Sequence, residues 1–174
     1  MLLPSRTIDV TLDLRSMTTD DADAVAALFQ SAHADGGAGG WKIRDIAHLL
    51  DEGGAGVIAF APGNTGPAGA VLAMRVGADM DIVNIAVGNA FRRRSLGRNL
   101  LNLLAAQAES SSYERILLEV ADDNTVARAF YEAMEFNIVG TRPAYYPRDG
   151  YRVDAKIMAR TLNTKHSNFR LFQS

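Results

Sequence analysis

Residues 8–17 (IDVTLDLRSM) alternate apolar and polar side chains, the period of a strand with one buried face. Thr18 then stands three residues before Asp21, a helix-start pattern with acids in the first turn. Ala22, Val25, Phe29 and Ala32 recur on one face of the helix that follows. The run Asp35-Gly36-Gly37-Ala38-Gly39-Gly40 is too permissive to be anything but loop. A second short helix over about residues 42–52 carries Ile43, Ile46 and Leu50, and Gly53-Gly54 stops it. Residues 55–61 and 68–77 read as two strands around a Pro62–Pro67 connection rich in turn residues. Ile82 to Val87 is a near-continuous apolar run, the mark of a central strand. Past an arginine-rich turn, Leu96, Leu100, Leu103, Leu104 and Ala108 stripe a long helix. Ile116-Leu117-Leu118 is a further buried strand; Val126, Phe130, Ala133 and Met134 mark another helix, and strands follow near 136–140 and 151–159.

The predicted order is therefore β-α-α-β-β-β-α-β-α-β-β, with no repeat and no linker. In 174 residues this makes one α/β domain over residues 1–160, with 161–174 as a C-terminal tail. Composition agrees, since 48% of residues are hydrophobic and disordered chains carry far fewer. A formal charge of −2 argues against a dedicated nucleic-acid binder, whose affinity comes mostly from phosphate contacts. The absence of cysteine excludes disulfide scaffolds, zinc fingers and a cysteine nucleophile. His33, His48 and His166 are far apart in sequence, so no metal site is expected. The first residues lack the apolar core of a signal peptide, and no run approaches the ~18 apolar residues of a membrane span. A soluble cytoplasmic protein with no membrane partner is expected.

Three segments carry candidate chemistry. In Phe91-Arg92-Arg93-Arg94-Ser95-Leu96-Gly97-Arg98, four arginines crowd the start of the long helix. Unpaired N–H groups and partial positive charge at a helix N-terminus, with arginines and small residues, suit a pyrophosphate or other anion. A solvated basic turn or a nucleic-acid contact would look the same. Neither the lysine-containing P-loop nor a full G-x-G-x-x-G fingerprint is present, which argues against an NTPase or a dinucleotide oxidoreductase. Glu119 ends a buried strand, where a carboxylate is costly unless paired or used and where partial burial suits a general base; it could equally face solvent at the sheet's end. Asn124 opens a helix and serves at least as its cap. Tyr131, two turns on, is either core or a proton donor to a leaving group.

Together these pieces resemble the GNAT acetyltransferase superfamily. The strand Ile85-Ala86-Val87, the loop Arg92-x-x-Ser95-x-Gly97 and the helix from Asn124 through Tyr131 to Phe136 stand in that family's order. Leu118-Glu119-Val120 with Asn124, Ala129-Phe130-Tyr131-Glu132, Arg142-x-x-Tyr145-Tyr146-Pro147 and Asp154-Ala155 are similar to bacterial ribosomal-protein-alanine N-acetyltransferases of the RimI type. The likeness is clear over about residues 82–160 and weaker before, where Ser31 to Ala34 and Trp41 echo the first-helix region.

The resemblance implies a GNAT-like fold, a mixed sheet of about six to seven strands flanked by about four helices. It implies acetyl-CoA as co-substrate and a protein N-terminus, on a ribosomal protein beginning with alanine, as partner. Ile85, Ala86 and Val87 would meet the pantetheine arm. Arg93, Arg94, Ser95, Leu96, Gly97 and Arg98 would wrap the pyrophosphate, and Asn124 would hold the coenzyme. Glu119 would be the general base, Tyr131 the general acid, and Tyr145 and Tyr146 would line the acceptor site. A small-molecule amine as acceptor and a non-enzymatic acyl-CoA-binding module are the alternatives. Ser95 stands where the family usually has glycine, and the glycine run 36–40 replaces an aromatic-proline segment before Trp41.

Overall fold

The computed structural model describes residues 12–32 and 41–163. In chain order these form β1 (Asp13–Ser16), α1 (Ala22–Ala32), α2 (Ile43–Asp51), β2 (Ala55–Phe60), β3 (Pro67–Val76), β4 (Asp79–Val87), α3 (Leu96–Ser110), β5 (Arg115–Ala121), α4 (Thr125–Glu132), β6 (Asn137–Arg148) and β7 (Tyr151–Thr161). Short 3-10 turns occupy Thr19–Asp21 and Asn89–Phe91. The expected order of strands and helices is the observed one. The start of the first strand at residues 8–11, His33, the glycine run 36–40, His166 and the tail from 164 lie outside the described residues.

One seven-stranded mixed sheet runs β1-β2-β3-β4-β5-β7-β6. Its neighbours pair antiparallel except β4 and β5. Those two strands match only from Asp79 opposite Arg115 to Ile82 opposite Leu118, and beyond this they part. The cause lies in their other partners. β5 stays zipped to β7 along its whole length, from Arg115–Thr161 to Ala121–Ala155. β4 instead follows β3, and its register jumps there: Leu72 faces Asn84 while Ala73 faces Ile82, so Val83 is an extra residue. Such a bulge bends its strand and increases local twist.

Each face of the sheet carries its own core. On one, α3 inserts Leu96, Leu100, Leu101 and Leu104 among Val71, Ile116, Leu118, Phe136 and Met158. On the other, Val25 and Phe29 of α1 and Ile46 of α2 pack on Ile58, Leu72 and Ala86. Burial of each large side chain is worth about 1.5–3 kcal/mol. The sheet and α3 are thus a firm frame for the segments between them.

Three element limits differ from expectation. β4 begins at Asp79, because Asp79 and Asp81 are the outward members of an alternation that starts before the apolar run. β6 runs to Arg148 through Pro143 and Pro147, which an edge strand tolerates since its outer N–H groups have no ladder partner. β7 extends through Thr161 and Leu162 is buried, so the packed chain continues past residue 160.

Candidate active site

The parting of β4 from β5 opens a cleft of about 560 Å³ on the α3 face. Its lining takes Ile85, Ala86 and Val87 from the end of β4, Arg93, Ser95, Leu96, Gly97 and Arg98 from the loop and start of α3, and Asn124 and Tyr131 from the α4 segment. Of the loop residues expected here only Arg94 is not part of the lining. Phe91, Arg92, Val126, Ala127 and Phe130 complete it. Val126 and Phe130 belong to the spacing that marks this helix, yet Val126 is 82% exposed and lines the cleft. A helical stripe looks the same whether it covers a core or a ligand.

The loop before α3 is bent by two left-handed residues, Arg93 (φ 61°) and Ser95 (φ 60°, ψ 7°). Left-handed turns of this kind gather backbone N–H groups into a concavity that suits anions. The first N–H groups of α3 follow directly and have no acceptor within the helix. Arg92 steadies the loop through its Nε, which donates to Val87 O at 3.3 Å. Gly97 packs closely under α4: a Cβ there would lie 3.3 Å from Phe130 Cζ, so any side chain would require the Phe130 ring to give by a few tenths of an ångström. Asn124 caps α4, its Oδ1 accepting from Ala127 N–H at 3.1 Å. Its cap role and its position on the cleft wall coexist.

The chemistry of the cleft fits the coenzyme that the sequence suggests. Where β4 has left β5, the backbone of Ile85 to Val87 on the cleft can meet an amide-bearing arm, and a basic loop with converging N–H groups can meet a diphosphate.

Alternation along β5 sends Ile116, Leu118 and Val120 into the α3-side core, so Glu119 turns to the other face. There Arg142 Nε lies 2.7 Å from Glu119 Oε1. Tyr146 Oη donates to the Glu119 carbonyl oxygen at 3.4 Å. Tyr145 and Tyr146 meet edge to face, with ring centroids 5.1 Å apart. Arg142 stands over the Tyr145 ring and Arg148 over that of Tyr146. Glu119, Tyr145 and Tyr146 are thus brought together, separate from the cleft lining.

Electrostatics link the two faces. Burial pushes the Tyr131 phenol up to about 12, with a smaller contribution from Tyr146. Burial also raises the Tyr146 phenol, assisted by the Glu119 charge. The Asp81 carboxyl is raised by burial and by Glu119, against the pull of Arg142. Asp81 therefore belongs to the same cluster, and the sequence reading missed it. The signal available was its alternation with Met80 and Ile82 on β4.

No group of three or more His, Asp or Glu among the described residues could hold a metal ion. No described helix is long and apolar enough to cross a membrane.

Comparison with known proteins gives this architecture a family. The [ribosomal protein bS18]-alanine N-acetyltransferase of Haemophilus ducreyi is 37% identical over 79 residues, 45% of this chain and 54% of that protein. The protein of the same name from Escherichia coli (strain K12) is 41% identical over 78 residues, 45% of this chain and 53% of that protein. The chain spans about half the length of these curated relatives. The crystal structure of the ribosomal-protein-S18-alanine N-acetyltransferase from Escherichia coli superposes with a TM-score of 0.77 at 30% identity, covering 90% of this chain and 97% of that one. Residues 22–136, from the start of α1 through the cleft to the end of the α4 segment, match the description of one acetyltransferase family. That match takes in well over half of the sequence, and the chain belongs to the acetyltransferase (GNAT) family.

Proposed function

We propose that this chain transfers the acetyl group of acetyl-CoA to the N-terminal α-amino group of a protein, a ribosomal protein beginning with alanine, in the cytoplasm. The observation that carries the reading is the gap between β4 and β5. It joins a cleft suited to the coenzyme on one face to the Glu119, Tyr145 and Tyr146 cluster on the other. The names of the relatives described above support the choice of acceptor.

Bound acetyl-CoA supplies an activated acyl thioester. Ile85, Ala86 and Val87 offer it the free backbone edge of β4, and the loop from Arg93 to Arg98 offers N–H groups and positive charge. An α-amino group has a pKa of about 7.7–8.0, so at pH 7 most of it is protonated and cannot attack. Glu119 takes that proton, directly or through a water, with its carboxylate oriented by Arg142. Tyr145 and Tyr146 wall the acceptor's first residues. The Tyr131 phenol, held at about 12, keeps its proton throughout the working range. It donates a hydrogen bond to the departing sulfur, whose ordinary thiol pKa of about 8.5 lies well below its own. No covalent intermediate on the enzyme is needed, in keeping with a chain that has no cysteine.

The test is release of coenzyme A from acetyl-CoA with a short peptide beginning with alanine. The control is the same peptide with its N-terminus blocked and one lysine free. Release only with the free N-terminus supports the proposal. Release only with a panel of small amines would move the acceptor to a small molecule. Coenzyme binding with no turnover of any amine would leave an acyl-CoA-binding module.

A further inference from the structure

The Tyr145-Tyr146 pair does not sit on a regular ladder. Arg142 pairs with Ala155 and Tyr146 with Val153, so residues 143–145 of β6 stand opposite Asp154 alone. Three residues facing one must arch out of the sheet. Local sequence does little to hold that arch. Pro143 has no N–H to donate, and Ala144 is left-handed at φ 51°, a conformation that non-glycine residues avoid.

Two side chains of β7 hold it instead. The Asp154 Oδ1 accepts from the Ala144 N–H at 2.8 Å. The Arg152 guanidinium donates to the Ala144 carbonyl through Nε, and to the Tyr145 carbonyl at 2.8 Å through Nη2. Arg152 and Asp154 are two residues apart on one strand and so project from the same face. Between them they engage the N–H and C=O of Ala144 and the C=O of the residue after it. The rigid fork of a guanidinium can bridge two carbonyls in a way that an ammonium does not reproduce.

We infer that Arg152 and Asp154 are positioning residues for acceptor recognition: they fix the arch that presents the Tyr145 ring beside Tyr146 at the Glu119 face. The inference rests on the reading of that face as the acceptor site. Neither residue lines the coenzyme cleft. Their loss must therefore act on the acceptor alone, which a general loss of folding would not do.

The experiment is steady-state kinetics of Arg152→Gln, Asp154→Ala and Asp154→Asn with the alanine peptide, alongside thermal unfolding. The expected result is a KM for peptide raised about tenfold or more in the first two, since small misplacements of binding groups carry costs of that order. The KM for acetyl-CoA stays within about twofold of wild type. Asp154→Asn, which keeps an oxygen to accept from Ala144 N–H, recovers most of the loss. Unchanged peptide KM in Arg152→Gln and Asp154→Ala overturns the inference, as does an equal rise in the acetyl-CoA KM. A wild type inactive on every peptide overturns the acceptor reading and this inference with it, whereas active variants overturn the inference alone.

Discussion

Arg142 on β6 reaches over β7 to place its Nε 2.7 Å from the Glu119 carboxylate on β5. The pair ties an edge strand to the strand that borders the gap, and it fixes which way the carboxylate points. Glu119→Gln is expected to lower kcat by about a hundredfold or more, the usual weight of a general base. The KM for acetyl-CoA should hardly change. Arg142→Gln, which frees the carboxylate without removing it, should cost about tenfold. Initial rates with the alanine peptide test both, and a Glu119→Gln enzyme as fast as wild type would remove Glu119 from the mechanism.

Asp81 gives a second prediction on the same face. Its carboxyl is raised by burial and by the Glu119 charge. A negative group there attracts the incoming ammonium, so Asp81→Asn should raise the KM for peptide several-fold, about 1 kcal/mol or less for a partly screened charge. The effect should shrink as salt rises. A salt titration of kcat/KM for wild type and variant reads this directly.

The Tyr131 hydroxyl is expected to matter for rate more than for folding. Tyr131→Phe should lower kcat about ten- to a hundredfold, the scale of losing one aligned hydrogen-bond donor. Its phenol also makes a stability prediction. The folded value of about 12 lies above the ordinary 10, so the folded state holds the proton more tightly than the unfolded chain. Stability from this group is complete below pH 10 and is lost as pH rises toward 12, by on the order of 2 kcal/mol. Urea unfolding at pH 9 and pH 11.5 should show that fall in wild type and a smaller one in Tyr131→Phe.

At the acid end the relevant group is Asp21, 8% exposed and gripped by Arg15 through two hydrogen bonds of 2.6 and 2.7 Å. Arg15 chiefly, with the Thr18 N–H, pulls its carboxyl down to about 2. A depressed value contributes stability above about pH 4 that disappears as pH falls toward 2. Arg15 is 43% exposed, so the contribution is discounted to about 1–2 kcal/mol. Acid titration of Asp21→Asn should lose this step. Its midpoint in denaturant at pH 6 should be lower than that of wild type.

Ser95 adopts a left-handed conformation in the anion loop. Such a conformation costs a non-glycine residue roughly 1–2 kcal/mol, and glycine returns about 0.5–1 kcal/mol of that through its freer unfolded chain. Ser95→Gly should therefore stabilise by roughly 0.5 kcal/mol. Ser95→Val, branched at Cβ, should destabilise. Thermal unfolding with and without coenzyme A separates strain in the loop from contact with the ligand.

What the chain discloses before folding follows from range. The order of elements was legible because each is written in a local period, 2.0 for β4 and 3.6 for α3. The arginine loop was legible because its residues are consecutive. Glu119 and Tyr131 stood out from their strand and helix context, with alternatives left open; the family likeness gave them roles and added Tyr145 and Tyr146. Asp81 was not legible, since its relevance depends on β5 lying beside β4, a relation across some forty residues. The arch at 143–145 was hidden for the same reason: three residues facing one exists only once β6 is laid against β7. Val126 illustrates the remaining kind of miss, in which periodicity gives the face of a helix but not what that face meets.

The parting of β4 from β5 beyond the Ile82–Leu118 pair also has a kinetic meaning. With acetyl-CoA in the cleft and the acceptor at the tyrosine-lined face, as proposed above, the two products would have separate exits on opposite sides of one sheet. Coenzyme A should leave past the arginine loop while the acetylated chain withdraws from the other side. Product inhibition should therefore be competitive between coenzyme A and acetyl-CoA and non-competitive between coenzyme A and the peptide. A seam left unstitched in the middle of the sheet would then govern traffic as well as reaction.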